Sequence, residues 1–301
     1  MVFNIELAGT YLSFHNFAED SFLDTWEWKL DPWKVPDSSN ESHKLSTISI
    51  TRATTHSIEA EPLSLFCSEK TGFFERRVYC LPVGESQWDF VRVRGEELLL
   101  RYRVDTTWNS ITLLQDNTKT QGTVAFEYLA QMMPGVCLRK GILTLHCALV
   151  EYDGMAFAVC ATSGTGKTTH ARLWRDYKNA LILNGDRALC RRTKKGWIAY
   201  GSPWSGTSGE QINRQAPLKA LVILERAKNN SIFRLKNIDI FPNIFPHVLY
   251  PSWDREMTEL AMDQLEDLLQ SVPVYLLKCR PDVGAVETMY RAIWEKEIYR
   301  R

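Results

Sequence analysis

The run Ala161-Thr-Ser-Gly-Thr-Gly-Lys-Thr168, continued by Thr169, combines residue types that suit one task, the holding of a polyphosphate. Glycines let the backbone bend so that successive N–H groups face inward, and the N-terminus of a following helix adds partial positive charge. Ser163, Gly164, Thr165, Gly166, Lys167, Thr168 and Thr169 are therefore the candidate nucleotide-binding residues. Lys167 would meet the β- and γ-phosphates of ATP as a point charge, and the Thr168 hydroxyl would help to hold Mg²⁺. The spacing is that of the P-loop (Walker A) pattern G-x-x-x-x-G-K-[ST], with Ala161 where the first glycine usually stands. Alanine is expected to fit there only if the backbone needs no positive φ. The plainer alternative is a serine- and glycine-rich turn with an incidental lysine.

Asp186 follows the apolar run Leu181-Ile-Leu183, and in an open α/β sheet ligands gather beyond the carboxyl ends of strands. That position makes it a candidate general base for an acceptor hydroxyl and a candidate Mg²⁺ ligand, against the alternative of a simple Asn-Gly-Asp turn with a solvated acid. The segment Gly201-Ser-Pro-Trp-Ser-Gly-Thr-Ser-Gly-Glu210 is rich in glycine and hydroxyls and is read as a candidate mobile flap. Glu210 is a candidate second Mg²⁺ ligand and Arg214 a candidate for neutralising transition-state charge, each weighed against a solvated surface role. Trp204 is considered for stacking on a ligand, Arg226 is read as structural or exposed, and His170 as a surface residue.

Elements must bring these groups together. Residues 1 to about 130 carry alternating segments, Ser46–Ile50, Phe90–Arg94, Leu98–Arg103 and Ser110–Leu114, which predict a β-rich half. Residues 31–42 read as a polar loop, and Val124–Met133 as a helix that stops before Pro134-Gly135. The second half alternates strands with helices: strands at Ile142–Val150 and Met155–Cys160 joined at Asp153-Gly154, then a helix at Thr168–Tyr177 with Ala171, Trp174 and Tyr177 on one face. Further on come a doubly buried strand at Ala180–Leu183, a hairpin over Cys190–Tyr200, and a strand at Leu218–Leu224. A helix at Asp254–Leu269, a strand at Val272–Leu277 and a helix at Val283–Ile298 close the chain. The expected architecture is α/β with a mixed sheet, preceded by a smaller β-rich domain: residues 1–125, then a P-loop domain at 126–301.

Composition narrows the classes. Lys plus Arg and Asp plus Glu both number 36, so no global field draws in nucleic acid or an anionic membrane, and neither is an expected partner. No apolar stretch is long enough for a membrane span and the N-terminus lacks a signal-peptide pattern, so the expectation is cytoplasmic. The seven cysteines are scattered with no metal-ligand spacing and read as buried hydrophobes.

From Leu145-His146 through Ser163–Thr169 to Asn184-Gly-Asp186, the order of motifs resembles the HPr kinase/phosphorylase family and its relative, ATP-dependent phosphoenolpyruvate carboxykinase. Gly201–Gly206, Ala216–Ala220 and Ile223–Arg226 look like a group of small HPr-kinase-like proteins, some found beside peptide-modification genes. The resemblance covers about residues 140 to 290. It implies a kinase core of that type, in which His146 and Asp186 flank the transferred phosphate and the acid activates the accepting hydroxyl, so that Asp186, Lys167 and His146 are the catalytic set. The family usually shows two adjacent acids where this chain has Gly185-Asp186. The implied activity is transfer of the γ-phosphate of ATP to a hydroxyl of a peptide, a protein or a small molecule, with Mg²⁺ as cofactor and an oligomer as an open possibility. The alternatives are a nucleotide-binding regulatory protein without turnover and a carboxykinase-type enzyme. In the kinase reading the β-rich half is the natural recognition surface for an extended peptide.

Overall fold

The computed structural model describes residues 2–15, 22–36, 48–52, 64–71, 74–80, 87–117 and 122–295. The chain divides into two compact units, one of Met1–Lys140 with Pro251–Arg255 and one of Gly141–Tyr250 with Glu256–Arg301. Both units are built on mixed sheets.

Period-two alternation builds the first unit. Its strands are β1 (Val2–Leu7), β2 (Thr10–His15), β3 (Lys34–Val35), β4 (Ile48–Arg52), β5 (Ser64–Thr71), β6 (Phe74–Cys80), β7 (Gln87–Arg94), β8 (Glu97–Asp105) and β9 (Ser110–Asp116). They form one sheet in the order β3-β1-β2-β4-β9-β8-β7-β6-β5, antiparallel throughout except for the parallel pairs β2–β4 and β4–β9. Ile5, Leu12, Phe14, Ile50, Ile111, Tyr102 and Phe90 are buried at alternate positions. Helices α1 (Phe22–Leu30) and α2 (Thr123–Leu129) supply the covering side chains: Trp26 stands edge-on to Phe14 and Phe126, and Tyr102 donates to the Ala125 carbonyl. The helix expected over 124–133 is in fact two. The chain turns after Leu129, and α3 (Met133–Arg139) takes Pro134 into its first turn, where a missing N–H costs nothing. Parts of three expectations, residues 37–42 of the polar loop, the start of the strand at 46–47 and residues 296–298, lie outside the described residues.

The second unit hangs on two long strands, β10 (Ile142–Tyr152) and, further on, β15 (Gln215–Arg226). Between them run β11 (Met155–Cys160), α4 (Lys167–Lys178), β12 (Leu181–Asn184), β13 (Arg187–Thr193) and β14 (Gly196–Tyr200); after them come β16 (Ser231–Arg234), α5 (Ile240–Ile244), β17 (Val248–Leu249), α6 (Arg255–Ser271), β18 (Val274–Cys279) and α7 (Val283–Tyr290). The first half of β10 pairs with β13 and β17, whereas its second half pairs with β11 and β12. β15 likewise changes partners, from β14 to β11 and β18. The five strands β11, β10, β13, β14 and β15 thereby close on one another, with β18 and β16 continuing the sheet.

The hairpin from β10 to β11 turns on Asp153 and Gly154, both with positive φ, the geometry that Asp-Gly favours. β11, β15 and β18 run parallel, and their carboxyl ends, at Cys160, Arg226 and Cys279, share one edge. Helices α4 and α7 bury Ala171, Trp174, Val286 and Met289 against Val150, Phe157, Val159 and Val222. Trp174 is fully buried, worth roughly 4–6 kcal/mol of apolar transfer as an upper bound.

Tyr177, expected on the inner face of α4, is exposed, and His170 occupies that face instead. Leu181 is also exposed: among the described residues β12 pairs with β10 alone, plus a single bridge from Asn184 to Gln211. The last helix widens into a π turn at Arg291–Glu295. Cys137, Cys147, Cys160, Cys190 and Cys279 are buried free thiols, while the side chains of Cys67 and Cys80 lie outside the described residues. No helix among the described residues is long and apolar enough to cross a membrane.

Candidate functional site

The glycine loop leaves β11 at Cys160 and enters α4 at Lys167, so the first N–H groups of the helix open onto the shared carboxyl edge of the three parallel strands. Gly164 and Gly166 have φ of 75° and 127°, which a side chain would resist. Ala161 is buried and is not among the positive-φ residues, so alanine fits where a glycine was the familiar choice. Lys167 is only 8% exposed, and its Nζ donates to the Ala161 carbonyl at 2.9 Å. The Thr162 and Thr165 hydroxyls meet at 2.6 Å across the loop. Arg226, at the end of β15, clamps the loop from outside, donating through Nε to the Thr165 carbonyl at 3.0 Å and through Nη2 to that of Gly164. Its role here is to fix the loop's shape.

Facing the loop is the turn between β12 and β13. His146 Nε2 lies 3.3 Å from Asp186 Oδ1, and Arg187 Nε lies 3.3 Å from Asp186 Oδ2. Burial raises the Asp186 carboxyl, but the His146 hydrogen bond and the Arg187 charge outweigh it and hold the group below its ordinary value. It is therefore ionised at neutral pH. His146, Ser163, Gly164, Gly166, Lys167, Thr168, Thr169, Gly185, Asp186, Ser205, Thr207 and Ser208 line one cavity of about 280 Å³. Of the residues expected from the sequence, the structure thus gathers His146, Lys167, Thr168, Thr169 and Asp186 with most of the loop; Thr165 faces two neighbouring cavities instead.

Others lie elsewhere. Glu210 pairs with Arg172 at 3.3 Å and Arg175 at 3.2 Å, both on α4, and does not line the cavity. Arg214 forms a two-pronged pair with the buried carboxylate of Glu151, Nη2 to Oε1 at 2.7 Å. Trp204 is buried and has no face to offer a ligand. The 201–210 segment, expected to move, is pinned: Gly185 N–H donates to the Glu210 carbonyl, Gly201 N–H to the Arg214 carbonyl and the Ser202 hydroxyl to the Arg187 carbonyl, and just beyond it Ile212 N–H donates to the Leu183 carbonyl. His170, expected at the surface, is 2% exposed, and burial pushes its imidazole down to about 4.

Two residues escaped the sequence reading. Asn184 is fully buried and makes five hydrogen bonds: its Nδ2 donates to the Ser202 carbonyl, the Ser202 hydroxyl and the Trp204 carbonyl, and its Oδ1 accepts from the N–H groups of Asp186 and Arg187. It ties the turn bearing Asp186 to the 201–205 segment. His247, just before β17, is 8% exposed, and burial with the charges of His146 and Lys167 pushes it down to about 4. The register explains this nearness: Val248 pairs with Leu145, so the next residues outward are His247 and His146.

The turn at Gly185 is tightly packed. A Cβ built on Gly185 would lie 2.0 Å from Ser208 Oγ and 2.6 Å from Ser208 Cβ. A Cβ on Gly206 would lie 2.9 Å from the Asp186 carboxyl carbon. The opposite wall is packed closely on this turn, so a side chain at Gly185 would require Ser208 to shift.

A donor set of one hydroxyl, Thr168, and one carboxylate, Asp186, fits Mg²⁺, which binds through one or two carboxylates and takes its remaining ligands from phosphates and water. Among the described residues no group of three or more His, Cys, Asp or Glu could hold a metal by itself. No family model and no curated protein matches the chain. Among solved structures it is similar to the Hpr(Ser) kinase/phosphatase from Coxiella burnetii, with a TM-score of 0.31 and 11% identity over 52% of this chain and 94% of that one.

Proposed function

We propose that the chain is an ATP-dependent phosphotransferase that moves the γ-phosphate to a hydroxyl of a peptide, a protein or a small molecule. The observation that carries the reading is the convergence of the glycine loop, Lys167, Thr168, His146 and an ionised Asp186 on one cavity. Loop N–H groups and the start of α4 suit the phosphate chain, and Lys167 would exchange the Ala161 carbonyl for the β- and γ-phosphates. Thr168 and Asp186 would hold Mg²⁺, which when bound neutralises charge on the transferring group. Asp186 accepts a hydrogen bond from the acceptor hydroxyl, orients its oxygen in line, and takes the proton as the new P–O bond forms and the bond from the γ-phosphorus to the bridging oxygen breaks, releasing ADP. His146 fixes that carboxylate through its Nε2.

The packed wall at Gly185 and the diversion of Glu210 to two arginines favour a second reading, a nucleotide-binding regulatory protein without turnover. One experiment separates the two. Incubation with Mg·ATP labelled at the γ-phosphate and serine or threonine peptides should give labelled peptide. Transfer should fall by about 10²- to 10³-fold in Lys167→Ala, by analogy with removal of one preorganised donor. In Asp186→Asn transfer should be lost, with ATP still held by the loop amides and Lys167 and its Mg²⁺ dependence weakened. Wild-type transfer by Lys167→Ala would refute the mechanism, and Mg·ATP binding with no turnover would favour the second reading.

A further inference from the structure

The wall of the phosphate cavity that faces the glycine loop is itself made of hydroxyl residues. Ser205, Thr207 and Ser208 line it in company with His146, Lys167 and Asp186, all of them within the second unit. Ser205 leads into the short turn Gly206–Ser208, which carries the other two. Gly206 and Gly209 have φ of 58° and 69°, so the turn bends sharply at its first residue and again just past its last.

The three hydroxyls differ in what they already hold. That of Ser205, a residue only 6% exposed, donates to Gln211 Oε1 at 3.1 Å. That of Ser208 donates to the Ser205 carbonyl at 2.6 Å and accepts from the Glu210 N–H at 3.2 Å. Thr207 is exposed, and among the described residues its hydroxyl has no hydrogen-bond partner. Either serine would have to break bonds that shape the turn before its oxygen could attack a phosphorus, whereas Thr207 has none to break.

The turn also packs on the candidate base. At Gly206 the backbone runs so close to the carboxylate that a Cβ there would lie 2.9 Å from Asp186 Cγ and 3.0 Å from Oδ2, and Thr207 is the next residue. Within one cavity of about 280 Å³ a γ-phosphate held by the loop and Lys167 therefore shares the space with both the Asp186 carboxylate and a free hydroxyl. A hydroxyl built into the chain meets that phosphate at an effective concentration far above that of a dissolved acceptor. Ser163, Thr168 and Thr169 line the cavity too, but they belong to the loop and the helix that take the phosphates.

We infer that the protein phosphorylates itself on Thr207. The inference rests on the kinase reading above and adds to it an acceptor within the same chain. Thr207 Oγ1 attacks the γ-phosphorus of bound ATP, and the new P–O bond forms as the bond from that phosphorus to the bridging oxygen breaks. Asp186 takes the hydroxyl proton and ADP leaves. The phosphothreonine carries a charge of about −1.5 to −2 at neutral pH and stands in the cavity that the next γ-phosphate would enter, so the reaction stops at one phosphate per chain.

The test incubates the full chain, first treated with a phosphatase that is then removed, with Mg·ATP labelled at the γ-phosphate and no peptide. Tandem mass spectrometry should map the label to Thr207, at no more than one phosphate per chain. The first-order rate should stay the same when the protein is diluted about tenfold, because transfer within one chain needs no encounter. Lys167→Ala should incorporate label about 10²- to 10³-fold more slowly, which ties it to this site and not to a contaminating kinase. Thr207→Val should take no label and Thr207→Ser should restore it, a guard against a folding defect in the valine variant. Label on Ser163, Ser205, Ser208 or a residue outside the cavity, a rate that falls on dilution, or wild-type protein that binds Mg·ATP yet takes no label would each overturn the inference. If that unlabelled protein still labels a peptide, the kinase reading stands without it; wild-type protein that fails to bind Mg·ATP would overturn the kinase reading itself.

Discussion

Gly185→Ala asks whether the wall opposite the loop is as tight as its geometry implies. Gly185 has no positive φ, so the backbone accepts alanine, and a less flexible unfolded chain would favour the variant by about 0.4–1 kcal/mol. Against this, the new Cβ would meet Ser208 Oγ at 2.0 Å and Ser208 Cβ at 2.6 Å. Rotating the hydroxyl relieves only the first contact, so the backbone at Ser208 must move. That movement strains the Ser208 hydroxyl bond to the Ser205 carbonyl, the Glu210 N–H bond to the hydroxyl, and the Gly185 N–H bond to the Glu210 carbonyl. Overpacking costs about 1–3 kcal/mol and each weakened bond a further fraction of about 1 kcal/mol, so the clash should win by about 2 kcal/mol. Chemical denaturation of Gly185→Ala, Ser208→Gly, Ser208→Ala and the two double variants reads the coupling. Ser208→Gly removes the offending Cβ and should rescue Gly185→Ala by about 1–2 kcal/mol beyond additivity, whereas Ser208→Ala keeps the Cβ and should not. Additive effects in both pairs, or a stabilised Gly185→Ala, would refute the packing argument.

Two further outcomes follow from buried polar groups. Asn184→Ala deletes five hydrogen bonds at a fully buried position and should cost about 3–4 kcal/mol, with amide exchange at Asp186 and Arg187 accelerating first; a loss under about 1 kcal/mol would show that the side chain is not the junction described. For His170 the folded value is about 4 against an ordinary 6.5, so the unfolded chain binds a proton that the folded chain refuses. Its contribution is whole above about pH 6.5 and is lost as pH falls toward 4, by up to roughly 3 kcal/mol. His170→Gln, which can still accept from Trp174 Nε1, should flatten the fall in denaturation midpoint between pH 7 and 5, and an unchanged slope would sink the assignment.

Legibility followed the range of the interaction. The glycine loop and the Asp153-Gly154 turn are set by local backbone demands, and both could be read from adjacent residues. Strands 87–94, 97–105 and 110–116 were visible through their alternation. What stayed hidden was decided between segments far apart in the chain. Glu210 and Arg214 look like available charges until α4 brings Arg172 and Arg175 to one and β10 brings Glu151 to the other. Asn184 reads as turn chemistry because its partners, Ser202 and Trp204, lie some twenty residues on. His247 lies about a hundred residues from His146, and only the pairing of β17 with β10 makes them neighbours. Pro134 misled because a proline that ends one helix is equally suited to begin the next.

The position of His146 and Asp186 has a cause in the path of β10. His146 is the last residue of that strand to pair with β13, opposite Arg187, and Cys147 is the first to pair with β11, opposite Cys160. Where one strand hands its ladder from one partner to another, the two partners diverge, and the space between them is a natural crevice, as at the switch point of an open α/β sheet. β13 then brings Asp186 to one side of that crevice, its carbonyl accepting from the Cys147 N–H at 3.0 Å, while β11 leads into the glycine loop on the other. A slip of one residue between β10 and β13 would reverse the side chains on the strand, turning His146 into the core and a leucine into the cavity. His146 is the one residue from Ile142 to Glu151 that is not buried, so the cost of driving its imidazole into the core opposes the slip. The packing of the core and the meeting of His146 with Asp186 are thus fixed by the same register, and a mutation that loosens the first should disturb the second.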